Sequence, residues 1–399
     1  MKYLALLAAL ASPSAVLANP DPADWDAVLA EAEGQTVFWN AWGGSTTTND
    51  FIAWVGERVA EDHGVILEHV KLTDTADAVT RVLSEKQAGE NDDGAIDMIW
   101  INGANFAAMK DADLLFGPFA EQLPNWAVVD VDGKTVQTDF TVPVEGYEAP
   151  WAMAQVVFVH NTETMPDTLG SMDELLDWAQ ANPGRFSYPQ PPDFLGSTFL
   201  KQVLVDIIED PAVLQEAATD ETYDDVVAPL WSYLDALTPH LWRSGQAYPA
   251  TGTAMFPLIN DGELDLSISF SPGAASTAIA NFELPETVRT FVLDKGTIGN
   301  ASFVAIPYNS GSAAGAMVVA NFLMSPEAQA RAQDPNILGY GTVLDIAKLS
   351  EDERAAFDAL ELGIATLSPA ELGTVQAEPH PSWMTRVTDD WVERYGTGQ

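Results

Sequence analysis

Three short apolar runs, each followed by a helical pattern, constrain this chain more than any other feature. Val37 to Trp42 is apolar and ends in Gly43-Gly44-Ser45-Thr46-Thr47-Thr48. Behind this turn Phe51, Ile52, Val55 and Val59 recur on one helical face. Val65 to Leu72 reads as a second strand. Thr75 to Gln87 reads as a helix with Val79, Val82 and Leu83 inside and Asp74 as its cap. Ala95 to Ile101 reads as a third buried strand, closed by Asn102-Gly103-Ala104-Asn105 and a short helix. Strands alternating with helices imply an α/β fold with a mainly parallel sheet flanked by helices on both faces. Ligands bind such sheets beyond the carboxyl ends of the strands, which makes the loops 43–48 and 102–105 candidate contacts.

The pattern then restarts. Val142 to Asn161 contains Pro143, Gly146 and Pro150 before the run Val156-Val157-Phe158-Val159, and reads as a crossing between domains. A new series begins near Met172, with Arg185 to Tyr188 as a strand, Pro189 to Gly196 as a loop and Ser197 to Asp210 as a helix. Leu264 to Phe270 is a further strand, ending in Ser271-Pro272-Gly273. Thr290 to Ile306 repeats the crossing character around Gly296, Gly299 and Asn300, and helices dominate from there on. The expected organisation is a first lobe of residues 19–147 plus 301–399 and an inserted second lobe of 148–300. Two hinge strands would join the lobes around a cleft, a favoured place for a ligand.

Residues 1–18 read as an export signal. They hold one charge, Lys2, an apolar run from Leu4 to Leu10, and a small-residue stretch ending at Ala18. That run is far short of the roughly 20 residues of a spanning helix. With no cysteine in the chain there is no thiolate site and no lipid anchor on cysteine. A free, monomeric periplasmic protein is the expectation. The formal charge of −42, from 17 basic and 59 acidic residues, disfavours nucleic acid and anionic membranes as partners. It serves solubility, and it also suits a cationic ligand.

Catalytic patterns are missing. There is no G-x-S-x-G, H-E-x-x-H or phosphate-loop string, and the five histidines are scattered. No cofactor is expected. Ligand capture has more support. A strand, a Gly/Ser/Thr turn and a helix N-terminus make a cup of N–H groups for an anion. One such cup is expected in each lobe, at Gly43, Gly44 and Ser45 and at Gly196, Ser197 and Thr198. Aromatics crowd the same loops, and Trp42, Trp151 and Tyr188 are the expected cleft walls, suited to a flat ring or a cationic head group. Asn102, Gly103, Asn105, Ser271 and Asn300, at strand ends and the second crossing, complete the expected site. Asp97 and Asp265 interrupt apolar strands and bond either a cation or a nearby loop.

Several strings resemble the YnjB-type solute-binding proteins of ABC transporters. They are Trp39-Asn40-Ala41-Trp42-Gly43-Gly44, Ile96-Asp97-Met98-Ile99-Trp100-Ile101-Asn102-Gly103, and Tyr188-Pro189-Gln190-Pro191-Pro192 with Gly196-Ser197-Thr198-Phe199. Ala320-Asn321-Phe322-Leu323-Met324-Ser325-Pro326-Glu327-Ala328-Gln329 resembles the wider group of type II periplasmic binding proteins. The resemblance covers nearly the whole mature chain. It implies two lobes, each with a mixed five-stranded sheet, closing on a small molecule. It also implies a membrane permease and an ATPase as partners. Related clusters bind iron, thiamine, polyamines or oxyanions. Ferric-ion binders of this type use adjacent tyrosines, and no Tyr-Tyr pair occurs here. A thiamine-like compound, phosphorylated or not, would use aromatic walls, cups and carboxylates together. The competing expectations are an exported hydrolase and a ligand-sensing module for a membrane receptor.

Overall fold

The computed structural model describes residues 20–396. The expected export signal lies outside them. Among the described residues no helix is long and apolar enough to cross a membrane.

The first alternation folds as its periodicity predicts. Strands β1 (Thr36–Trp42), β2 (Ile66–Leu72) and β3 (Met98–Ile101) are parallel, with β1 central. The helix Thr46–His63 buries Phe51, Ile52, Val55 and Val59 on one face of the sheet and ends at Gly64, whose φ of 68° is left-handed. The helix Thr75–Ala88 lies on the other face, with Asp74 capping the Ala76 N–H. There Ala78 and Val82 are buried while Leu83 is exposed.

A short hairpin of β4 (Thr138–Asp139) and β5 (Val142–Pro143) follows. Then β6 (Glu148–Gln155) and β7 (Val157–Asn161) run on with a single residue, Val156, between them. Strands β8 (Leu266–Ser269), β9 (Val288–Phe291), β10 (Thr297–Ala305) and β11 (Val375–Gln376) complete the set. The first sheet has the order β2-β1-β3-β10-β6, with β10 antiparallel to both β3 and β6, and β11 added beside the start of β10. In the second sheet β7 lies between β8 and β9 and is antiparallel to both. In the first sheet β10, which arrives from the other lobe, runs against the rest together with the short β11 parallel to it, and in the second the arriving strand β7 runs against β8 and β9. The strand expected at 185–188 shrinks to one parallel bridge, Phe186 with Leu266. The second sheet is therefore smaller than the five strands implied by resemblance.

The crossing point is tied by hydrogen bonds. Val156 N–H donates to the Ile298 carbonyl at 2.8 Å, and the Thr297 hydroxyl donates to the Val156 carbonyl at 2.6 Å. The Gln155 amide donates to Thr297 Oγ1 and to the Leu372 carbonyl, so a third strand of chain joins the two expected hinge strands. The boundaries drawn from sequence need correction in two places. Residues 148–155 belong to the first sheet, and the crossing falls at Val156. The helix Pro381–Tyr395 falls within the segment expected in the first lobe, yet its Trp383, Val387 and Trp391 are buried in the second core with Tyr188, Phe199 and Leu230. Ala365 likewise packs with Val157 and Val159 of that lobe.

Candidate functional site

The cleft between the lobes is bordered by three helix N-termini, and in each the chain supplies its own acceptor. At the helix Thr46–His63, Ser45 Oγ accepts the Thr48 N–H at 3.4 Å. Gly44 is exposed, and the Trp42 ring lies so close above it that a Cβ there would sit 2.4 Å from the indole. At the helix Ala104–Asp111, capped by Gly103, the Asp139 carboxylate reaches in from the hairpin and accepts the Gly103 N–H at 2.5 Å. At the helix Phe194–Ile207, Asp193 accepts the N–H groups of Leu195 and Gly196 at 3.0 and 3.2 Å.

The third case corrects the expected second cup. Its helix starts three residues earlier than the sequence suggests, so Gly196, Ser197 and Thr198 lie inside the first turns and are buried. Ser197 Oγ pairs with Thr388 of the C-terminal helix, and Thr198 Oγ1 donates to the Phe194 carbonyl. Gly196 is required for close approach, since a Cβ would lie 2.2 Å from the Pro189 carbonyl oxygen. A carboxylate already fills the anion position.

Two expected cleft walls are core residues instead. Trp151 is 1% exposed, packed edge-on against Trp39 and Trp100 and stacked with Phe51. Tyr188 is fully buried, stacked on Phe199 at 4.3 Å, with its hydroxyl accepting from Trp391 Nε1 at 3.1 Å. Alanine at either position removes core packing, so neither serves as a probe of binding alone. Trp42, Trp100, Tyr340 and Phe270 are instead partly buried, and Phe194 is 50% exposed. Phe194 meets Phe270 edge-on at 5.3 Å, and Tyr340 leans on Trp151 at 5.8 Å.

A cavity of about 300 Å³ opens where the lobes meet. It is lined by Thr138, Phe140 and Thr141 of the hairpin, by Gln215, by Gly299 and Asn300 of β10, and by Glu378. A wider depression at Asp21–Asp26 is formed by one surface segment and holds no convergent groups. Asn300 Nδ2 donates to Glu378 Oε1 at 3.0 Å, and Lys201 Nζ meets Glu378 Oε2 at 2.6 Å in a pair almost wholly shielded from water. The same ammonium lies 4.5 Å from the Phe140 ring centre and 5.5 Å from that of Phe194. Burial holds the Glu378 carboxyl above its ordinary range although Lys201 and Asn300 favour its charged form. Asn102 Nδ2 donates to the Ala301 carbonyl at 2.6 Å beside this cluster. Asn105 and Ser271 are half-buried at the same strand ends, and the Ser271 hydroxyl has no partner among the described residues.

Sequence patterns pointed at Asn102, Gly103 and Asn300 but not at their partners Asp139, Phe140, Lys201 and Glu378. One signal was available: Lys201 interrupts the apolar face Phe199-Leu200…Val203-Leu204, and a lysine buried there needs a counter-charge. Asp97 and Asp265 are structural. Asp97 accepts from Phe38 N–H, Ser310 Oγ and Ser312 N–H, and Asp265 holds Arg185 through both oxygens. Among the described residues no group of three His, Asp or Glu side chains is arranged for a metal ion.

Comparison with known proteins agrees with this architecture. Residues 54–357 match the family model described as bacterial extracellular solute-binding protein. Protein YnjB of Escherichia coli (strain K12) is 43% identical over 374 residues, 94% of each chain. Among solved structures, a putative spermidine/putrescine ABC transporter from Listeria monocytogenes superposes with a TM-score of 0.63 at 15% identity, covering 90% of this chain and 98% of that one. The periplasmic binding protein AfuA from Actinobacillus pleuropneumoniae, with fructose-6-phosphate bound, gives 0.62 at 13%, covering 91% and 99%. The ferric binding protein from Campylobacter jejuni gives 0.62 at 12%, covering 90% and 98%. At such identities these three speak for the fold, that of type II periplasmic binding proteins. The match over most of its length, the close relative and the two-lobed fold together place this chain in the family of bacterial extracellular solute-binding proteins.

Proposed function

We propose that this protein captures a small organic cation with a flat ring, of thiamine-like character, in the periplasm and hands it to an ABC importer. No covalent step is involved. The ligand joins the two lobes, favours the closed arrangement in proportion to its differential affinity, and so presents a composite surface to the permease.

The observation that carries this ligand class is the capping of the helix N-termini around the cleft. Two of the three are closed by carboxylates, Asp139 and Asp193, so an anion arriving there meets negative charge. Only the Gly43–Thr48 turn, closed by a hydroxyl, is suited to a phosphate. The partly buried rings of Trp42, Trp100, Tyr340 and Phe270 favour a planar or cationic group instead. The names of the structural neighbours span a polyamine transporter, a sugar-phosphate binder and a ferric-ion binder, so the fold does not choose among ligand classes.

Thermal unfolding of the mature protein with thiamine, thiamine monophosphate, choline, spermidine, fructose-6-phosphate and inorganic phosphate tests this. An aromatic cation at a hundredfold excess over its Kd should stabilise by about 2.7 kcal/mol, and its phosphorylated form by less. A response confined to the sugar phosphate or to phosphate would overturn the proposal.

A further inference from the structure

We propose that the hairpin β4–β5 is a proton-controlled latch between the lobes, docked while Asp139 and Glu148 share protons and released when the pair ionises. Both side chains are completely buried. Asp139 uses one oxygen, which accepts the Gly103 N–H. Its Oδ1 and both oxygens of Glu148 have no hydrogen-bond partner among the described residues. A dry carboxylate short of donors is strongly disfavoured, and a second negative charge acting on it disfavours it further. A neutral carboxylic acid escapes most of that cost, because it carries no charge into the dry interior.

The groups facing the pair do not neutralise it. Lys110, on the helix Ala104–Asp111, is the cation that acts on Glu148, but its ammonium pairs with Glu145 at 2.7 Å and donates to the Pro143 carbonyl. Lys201, on the helix Phe194–Ile207, acts on Asp139 but is held by Glu378, whose own charge opposes ionisation of Asp139. The Asn102 side chain and the Gly103 N–H favour the ionised form and are outweighed. Burial therefore pushes the Asp139 carboxyl up to about 8, and burial followed by the Asp139 charge pushes Glu148 well above its ordinary range.

The hairpin is also where the lobes touch. Phe140, at its turn, takes a φ of 54°, uncommon for a residue with a side chain. Its ring packs against Gly103, where a Cβ would lie 2.5 Å away, and faces the Lys201 ammonium of the second lobe. Ionisation of Asp139 and Glu148 drives the hairpin toward water and takes Phe140 off Lys201. The sign follows from linkage. Carboxyls with raised values in the docked state favour docking at low pH; that preference is fully present below the ordinary carboxyl range, near about 4, and is lost progressively as pH rises toward about 8. The pair titrates as a unit, so the transition belongs to both residues.

Hydrogen exchange of the 138–147 backbone in the ligand-free protein, corrected for intrinsic pH dependence, reads the latch directly. The hairpin's opening constant should be flat below about pH 4, rise about tenfold per pH unit for each carboxyl that ionises from there through neutrality, and level off above about pH 8. Asp139→Asn/Glu148→Gln, uncharged throughout, should abolish the rise. A flat wild-type profile between about pH 4 and about pH 8 overturns the proposal. So does an identical rise in the double variant. Should that variant fail to fold, the infrared carbonyl band of protonated carboxyls in the wild type decides. Its loss on raising the pH, together with faster exchange, supports the latch, and its absence at neutral pH refutes it. None of these readouts needs the ligand, so they stand apart from the ligand assignment.

Discussion

At the scale of single residues, the buried pair Lys201–Glu378 shows how a site is held by charges that cannot stand alone. Both side chains are almost wholly shielded, and each is the other's main partner. Lys201→Met should leave a carboxylate stranded beside Asp139 and destabilise the protein by about 3–5 kcal/mol, whereas Lys201→Met with Glu378→Gln should recover much of that loss. Urea unfolding of the two variants at neutral pH measures the difference. Equal losses would mean that the charges do not depend on one another. The sequence announces Lys201 only as a lone charge in an apolar stretch and is silent about Glu378, 177 positions away. Residue type misleads in the opposite sense at Trp151 and Tyr188. Neighbouring prolines give both a loop-like context, yet Trp151 sits in the middle of β6 and Tyr188 under the C-terminal helix. Whether an aromatic is wall or core depends on what packs over it, and local pattern does not contain that.

At the scale of elements, strands and helices were legible where one face is apolar and the other polar, and boundaries were legible where the capping residue is local. Asp74 and Ser45 lie directly before their helices and cap them, Asp74 as expected. The helix Phe194–Ile207 was placed late because Pro189 to Gly196 reads as a loop and Gly196 as its end. In the structure Gly196 is there for space, against the Pro189 carbonyl, and Asp193 is the cap. Asp193→Ala should therefore cost about 1 kcal/mol, through two N–H groups left without an acceptor. It should also raise affinity for inorganic phosphate at this N-terminus, because the competing carboxylate is gone. Chemical denaturation and calorimetric titration with phosphate check the two halves. Weakened stability with no change in phosphate affinity would mean that the cavity wall, not Asp193, excludes anions.

At the scale of the whole molecule, the two-lobed plan was legible because each lobe restarts the strand–helix alternation and the crossings carry proline and glycine. The fate of the C-terminal residues was not. Trp383 and Trp391 select the second core by contacts with residues such as Tyr188 and Tyr223, more than 150 positions earlier in the chain. The chain thereby crosses the hinge a third time, and β11 pairs with the first residues of β10 at the crossing. Lobe-to-lobe approach is set elsewhere by two glycines. Gly273, before the helix Ala274–Ala280 of the second lobe, donates its N–H to the carbonyl of Gly339, which belongs to the loop carrying Leu338 of the first core, at 3.1 Å. A Cβ on Gly273 would lie 2.4 Å from that carbonyl oxygen, while its φ of −89° is ordinary for any residue. Gly273→Ala therefore adds no strain within its own lobe and a clash only between lobes. If ligand capture draws on this approach, the variant should fold with near-normal core stability, show a larger radius of gyration with ligand present, and bind on the order of tenfold more weakly. Small-angle scattering and calorimetry on the same samples report both quantities. Unchanged affinity with an unchanged radius would show that the loop bearing Gly339 yields, and that closure is governed by the other contact between the lobes, where Phe140 meets Lys201.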